Sequence, residues 1–266
     1  MKITGTRPFD YGYNDIINLD GEHSEVLMDF GILRLGKGQV YESSEAKERA
    51  YLLVEGGVKI EWEDQSVLAE RSSWRTENPW CLSVPANVPV KIIGVRNESE
   101  ITVHKTLNEV DFSPKIFTPN DVVVVERGMG VVGGTMERLN RLVIDRENHP
   151  ESRLILAECQ PKPGRWCGFP DHYHPHPEIY YFKFYPKNGY ALQRLGNEAC
   201  YVEDGDTVTL TDGQIHTNCT APGYYLNYIW CIHDVPDNPY RPIFEMQHTW
   251  VPGTWVSEEE MHYLPL

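Results

Sequence analysis

No run in the 266 residues approaches the roughly 18 to 20 apolar residues that a membrane span needs. The opening residues Met1–Pro8 lack an apolar h-region, so no secretory signal is read there. Basic residues are in deficit: 24 Lys and Arg stand against 39 Asp and Glu, a formal net charge of −15. A surface of that sign repels phosphate backbones and anionic lipid. It excludes a role built on general contact with nucleic acid or membrane. The six cysteines, at 81, 159, 167, 200, 219 and 231, form no C-x-x-C pair. Neither a zinc knuckle nor a thioredoxin-type site is expected, and they read as reduced thiols of a cytoplasmic protein. Long helical patterns are scarce too; the short segment Ser257–Met261, with Ser257 as its cap, is the helix candidate.

What fills the chain is a succession of short β-rich runs. Ala50–Val54, Val58–Trp62 and Val90–Val95 are followed in the later half by Arg153–Ala157, Glu178–Phe184 and Tyr224–Trp230. Turn signals separate them, at Glu55-Gly56-Gly57, Lys187-Asn188-Gly189, Asp204-Gly205-Asp206 and Asp212-Gly213. Many short strands at close spacing predict an all-β sandwich or barrel, not a parallel α/β sheet. The two halves echo each other. Glu55-Gly56-Gly57 and Lys187-Asn188-Gly189 both look like hairpin turns in mid-barrel, and the join falls near Phe112–Lys115. Two domains are therefore expected, 1–114 and 115–266.

One cluster carries chemistry: Asp171-His172-Tyr173-His174-Pro175-His176-Pro177-Glu178. Residues two apart on a strand share a face, so His172 and His174 can address one centre. Pro175 and Pro177 cannot both continue a central ladder, so a loop is expected, with a strand restarting at Glu178. His216, which closes the Gly205–His216 run, is the candidate fourth ligand. Imidazole with carboxylate suits zinc, iron, manganese, nickel or copper.

These residues resemble the cupin superfamily. Its first motif, H-x-H-x(3,4)-E, is matched by His172, His174 and Glu178; its second by Gly205, Gly213 and His216, with Thr211 where proline is usual. The resemblance narrows to the 5-deoxy-glucuronate isomerase family of inositol catabolism and its branch, the 4-deoxy-hexosulose-uronate isomerases. The residues that carry it are Gln193-Arg194, Val202–Asp206, Ala221–Tyr228, Arg127–Gly130, Glu158–Trp166 and Gln247–Trp250.

The resemblance implies two cupin (jelly-roll) barrels, the first without metal and the second holding one divalent ion on His172, His174, Glu178 and His216. Zinc is the first choice, with manganese, iron or nickel as alternatives. It implies aldose–ketose isomerisation of a deoxy-uronic acid, 5-deoxy-glucuronate to 5-dehydro-2-deoxy-gluconate. It also implies a small anionic sugar-acid substrate and a homo-oligomer. For the base, Glu178, Tyr181, Lys183 and Tyr228 are candidates. An anionic substrate in an acidic protein needs a local cation, and Arg194, Arg165 and Arg141 are proposed for its carboxylate. Gln193 and Tyr228 would bind sugar hydroxyls. A metal-dependent dioxygenase and a non-catalytic sugar-acid binding protein are the alternative functions of the same ligand set.

Overall fold

The computed structural model describes residues 1–5, 7–235 and 237–253. The helix candidate at 257–261 and His262 lie outside them. The described chain is almost wholly β, with three 3₁₀ turns and one short α-helix, Trp250–Gly253. No helix among the described residues is long and apolar enough to cross a membrane. All six cysteines are free.

Two compact units are present, and neither is a single stretch. One comprises Gly5–Val123 with Leu142–Leu156; the other comprises Met1–Thr4, Val124–Arg141 and the chain from Ala157 onward. The join near residue 114 suggested by the sequence lies close to the end of the Gly5–Val123 stretch. The return of 142–156, and the assignment of the first four residues to the later unit, have no local signal in the sequence.

The first unit is organised by one strand of 15 residues, Glu48–Trp62. Its early part pairs with Ser99–Thr106 and Cys81–Val84; its late part pairs with Gln65–Arg71 and Val90–Gly94. The strand thus passes from one sheet to the other. The change occurs at Glu55-Gly56-Gly57, where the register against Ser99–Thr106 shifts between Leu53 and Glu55. Gly56 has φ +115°, and a Cβ there would meet Glu98 O and Ser99 Cα at 2.5 Å. The expected hairpin turn at this point is therefore a bulge inside a continuous strand: positive-φ glycine serves a bulge as readily as a turn. The hairpin lies later, where Trp62 faces Gln65 across Glu63-Asp64. Leu33, Tyr51, Leu53, Ile60, Leu82, Ile92 and Val103 fill the space between the sheets.

One sheet, most of whose residues belong to the second unit, runs in the order Lys2–Ile3, Thr207–Leu210, Glu178–Tyr185, Tyr225–His233, Leu154–Pro161, Arg138–Ile144 and Val123–Arg127. The other runs Glu198–Glu203, Tyr190–Leu195, His216–Thr220, Trp166–Tyr173, Ile243–Phe244. Side chains of both sheets meet in one core: Cys159, Tyr180, Phe182, Val208 and Tyr228 from the first, with Cys167, Ala191 and Val202 from the second. Lys187-Asn188-Gly189 does turn the chain, with Gly189 N–H donating to Pro186 O at 3.0 Å. It joins strands of different sheets, however, so it is not a hairpin. The hairpin is the next connection, where Leu195 pairs with Glu198.

Candidate metal centre

Three imidazoles reach one point because two neighbouring strands deliver them. Trp166–Tyr173 runs antiparallel to His216–Thr220, with His172 directly opposite His216. The strand stops at Tyr173, His174 follows it, and Pro175 and Pro177 hold the chain out of any ladder. The chain re-enters as a strand at Glu178 in the opposite sheet, between Leu210 and Ile232. His216 is aimed by the turn before it, in which Gln214 N–H donates to Thr211 O at 3.0 Å. Asp212 and Gly213 both hold positive φ there, 55° and 65°. The proline usual at 211 would leave that carbonyl in place, so Thr211 costs the turn nothing.

Each ring is locked by its Nδ1–H. That of His172 donates to Gly168 O at 3.0 Å, that of His174 to His176 O at 3.0 Å, and that of His216 to Gln214 O at 2.8 Å. A neutral imidazole donating from Nδ1 presents a bare lone pair at Nε2. The ligand atoms of the three histidines lie within 4.8 Å of one another. Glu178 Oε2 stands 3.1 Å from His174 Nε2 and 3.5 Å from His216 Nε2. Three acceptor nitrogens and a carboxylate facing one point repel unless a cation lies among them. His216 Nε2 is buried and has no hydrogen-bond partner. Burial pushes His172 down to about 4, and holds His216 well below the ordinary imidazole range with help from the neighbouring rings. These rings are thus neutral and available as ligands. Burial raises the Glu178 carboxyl, against the closeness of His174 and the Tyr180 hydroxyl, which lower it. The donor set fits a divalent first-row ion, and the backbone acceptors at each Nδ1 are the orienting partners such a site requires.

His172 and Glu178 border a cavity of about 720 Å³. Its remaining polar wall comes from Glu126, Arg127, Arg138, Asn140, Cys159, Tyr180, Tyr228, Tyr240 and Thr249; Phe169, Phe244 and Trp250 close its apolar side. Arg138 donates from Nη1 to Met136 O at 3.1 Å, and among the described residues no carboxylate pairs with it. Arg127 is held below the usual guanidinium range by burial and by Arg138 nearby. Tyr240 packs edge-on against the His174 ring, centroids 5.0 Å apart.

Several expected site residues fall elsewhere. Side chains alternate along Glu178–Tyr185: Glu178 and Tyr180 face the cavity, Phe182 and Phe184 the core, and Tyr181 and Lys183 take the opposite face. Lys183 Nζ lies 3.5 Å from Asp204 Oδ2 and 5.6 Å from the Tyr181 ring centroid. Neither borders the cavity. Arg194 is committed: its Nη1 contacts Asp171 Oδ2 and lies 3.1 Å from Glu245 Oε2, while Nε donates to Gly196 O at 2.7 Å. Asp171, Glu245 and His248 form a second metal-like group, but the Arg194 guanidinium already supplies its positive charge. Arg141 is buried 3.4 Å from Glu158, and Arg165 sits on the turn after Lys162, outside the cavity lining. Gln193 is fully buried behind the wall and donates to Arg194 O at 2.9 Å. Tyr228 alone of the substrate-binding candidates borders the cavity. Arg138, Arg127 and Tyr240 were not singled out for this site by their residue pattern. The one local hint was the Arg127–Gly130 run, which marked likeness and not a role.

The sequence model of the KduI/IolB family matches residues 6–251. A 5-deoxy-glucuronate isomerase of Lacticaseibacillus casei is 23% identical over 236 residues, covering 79% of this chain and 85% of its own. Among solved structures, an IolB-like protein from Salmonella typhimurium superposes with a TM-score of 0.83 at 21% identity, covering 94% of this chain and 98% of its own. A variant of Bacillus subtilis oxalate decarboxylase gives 0.68 at 11% identity, over 100% and 84%. These structural likenesses place both units in the cupin fold.

Proposed function

The chain belongs to the KduI/IolB family, and on that footing we propose that it is a sugar-acid isomerase whose substrate is 5-deoxy-glucuronate or a close deoxy-uronate, dependent on one divalent metal. The observation that carries the reading is the convergence of His172, His174, His216 and Glu178 on the wall of a cavity that also holds Arg127 and Arg138.

Isomerisation moves a proton from the hydroxyl-bearing carbon to the former aldehyde carbon through an enediolate. The hydroxyl proton passes to the other oxygen, so no atom enters or leaves. A divalent ion, when bound, supplies Lewis-acid stabilisation of the negative oxygens. The chain supplies the rest. Arg138, with Arg127 beside it, takes the substrate carboxylate; a guanidinium grips it through two parallel hydrogen bonds. This places the reacting end toward His172 and Glu178. Glu178 Oε, the carboxylate on the cavity wall beside the three histidines, carries the carbon-bound proton. Tyr180, Tyr228 and Tyr240 stay protonated, since burial raises all three. Tyr180 and Tyr240 donate hydrogen bonds to the substrate oxygens, and the Tyr228 hydroxyl, whose proton is directed at Cys167 Sγ 3.0 Å away, accepts one. The apolar side of the cavity limits water.

The test couples elemental analysis of purified protein to a panel of uronic acids followed by NMR in ²H₂O. One equivalent of metal is expected, with deuterium entering at the carbon beside the carbonyl during turnover. Full turnover by chelated, metal-free protein would overturn the metal's role; a loaded protein inert toward every uronate would overturn the substrate.

A further inference from the structure

We propose that Cys159 and Cys167 are a reversible redox pair that closes to a disulfide when a peroxide enters the cavity. Their Sγ atoms stand 2.8 Å apart, inside van der Waals contact and within about 0.8 Å of a disulfide bond length. They come from different sheets of the second barrel, on Leu154–Pro161 and Trp166–Tyr173. The contact therefore bridges the core and is not an accident of neighbouring positions along one strand. Nothing in the metal centre or in the isomerisation uses either sulfur.

The surroundings favour a thiolate. The Cys159 Sγ–H has acceptors on two sides, Asn140 Oδ1 at 2.9 Å and Cys167 Sγ. Cys167 Sγ lies 3.0 Å from the Tyr228 hydroxyl. Burial by itself would push the Cys167 thiol up. The Cys159 S–H, the Arg138 charge, the Tyr228 hydroxyl and the Gly168 N–H together bring it below the ordinary value. The Cys159 thiol is itself held well above the ordinary value by burial and by Cys167, so once Cys167 ionises the pair shares the one proton that remains. Cys159 borders the cavity, which gives a molecule as small as hydrogen peroxide a route to the pair.

The step balances with that oxidant. One thiolate attacks a peroxide oxygen and the O–O bond breaks. Sulfenic acid forms, and hydroxide leaves as water by taking the shared proton. The second sulfur, now a thiolate, attacks the sulfenic sulfur, the S–S bond forms, and hydroxide leaves as a second water with a solvent proton that replaces the one the first thiol gave up. Two thiols are oxidised by two electrons and one peroxide is reduced. The disulfide takes the thiol hydrogens from beside Asn140 and Tyr228, so the cavity wall differs between the two redox states. Cys200 and Cys219 are half-buried, and their thiols are raised by burial.

Mass spectrometry of the full chain as purified tests this without reference to turnover, so it stands apart from the isomerase reading. A few equivalents of peroxide should remove about two mass units, and a dithiol should restore them. Trypsin cuts after Arg165, so the oxidised protein should yield the peptide 154–165 joined to 166–183, and reduction should separate them. In Cys167→Ala, Cys159 should instead gain one oxygen, trapped by dimedone, with no loss of two units. The proposal fails if the wild type gains oxygen at Cys200 or Cys219 while 159 and 167 stay unlinked. It also fails if Cys167→Ala still loses two mass units.

Discussion

The two barrels share an architecture and differ in what their buried polar groups point at. In the first, each buried charge ends on a partner. Arg49 is held by Ser43 and by the carbonyls of Lys47, Pro85 and Val88; Arg71 by the carbonyls of Leu53 and Glu77. Glu48 accepts from Ser152, Arg153 N–H and Asn108, and Glu45 pairs with Lys105 at 2.7 Å. Such groups fix the fold and leave no valence for a ligand. In the second barrel some groups pair off in the same way, Arg194 with Asp171 and Arg141 with Glu158, but one set converges instead. Three lone pairs and a carboxylate share a focus, His216 Nε2 has no hydrogen-bond partner, and Arg138 lines the cavity with no carboxylate paired to it among the described residues. A buried site that the fold leaves electrostatically incomplete is one that a ligand completes.

The strongest way to break this contrast is His174→Ala. It should reduce bound metal from one equivalent to none, and turnover by roughly 10³-fold or more, because Lewis-acid stabilisation is worth several kcal/mol. Glu45→Gln in the first barrel should leave metal content unchanged. Elemental analysis and a turnover assay on both variants decide it; equal metal loss would erase the distinction. Next in size is a core truncation. Leu53→Ala, at a fully buried position of the first barrel, should cost about 2–5 kcal/mol in urea unfolding, with metal content and KM unmoved. A matching loss of metal would show that the barrels are not independent in this respect.

How much of this contrast the sequence carries depends on the range of the signal. The His172-x-His174 spacing, the prolines and Glu178 lie within seven residues. Strand parity and the proline rule therefore place them without any knowledge of the fold. His216 was reachable through its turn. Tyr181 and Lys183 stand three and five residues after Glu178, odd separations that strand parity assigns to the opposite face; nearness along the strand was the misleading signal. Two residues beside a ligand are no nearer the ligand's face if their parity is odd. Arg194 looked free because Asp171 and Glu245, which neutralise it, are 23 and 51 residues away. Arg138 and Tyr240 were silent for the same reason. They reach the cavity on a strand and a connection whose placement only the folded sheet determines. The Cys159–Cys167 contact was invisible too, since a spacing of eight across two sheets resembles no local motif.

A smaller effect separates the arginines. Arg138→Met should raise KM for a uronate by about 10- to 100-fold with kcat changed less, the signature of a lost charge-assisted bond in binding. Arg194→Met should instead lower stability through the unpaired Asp171 and Glu245, with KM following only as the fold loosens. Steady-state kinetics and urea midpoints on the two variants separate the roles. An Arg138→Met enzyme with unchanged KM would return the carboxylate to some other cation.

The smallest difference lies in acid. Each barrel buries a neutral imidazole: His104, pushed down to about 3 by burial, in the first, and His172, down to about 4, in the second. Both folded values lie below the roughly 6.5 of an exposed ring. As pH falls through 6.5 the unfolded chain binds protons that the folded chain refuses, so stability declines with falling pH. The decline from His172 ends near 4 and that from His104 near 3. Each ring contributes a slope of up to about 1.4 kcal/mol per pH unit inside its window. His104 contacts Thr102 at 3.1 Å and packs against Phe30, centroids 5.1 Å apart. His104→Phe should therefore keep the shape and remove one proton from the slope, in metal-free and metal-loaded protein alike. The His172 contribution should change with metal, because the loaded ring cannot bind a proton until the ion leaves. Urea midpoints between pH 7 and 5, with and without metal, read both. A His104 term that moved with metal would mean that the two buried rings are not separate, and that the first barrel responds to what the second one holds.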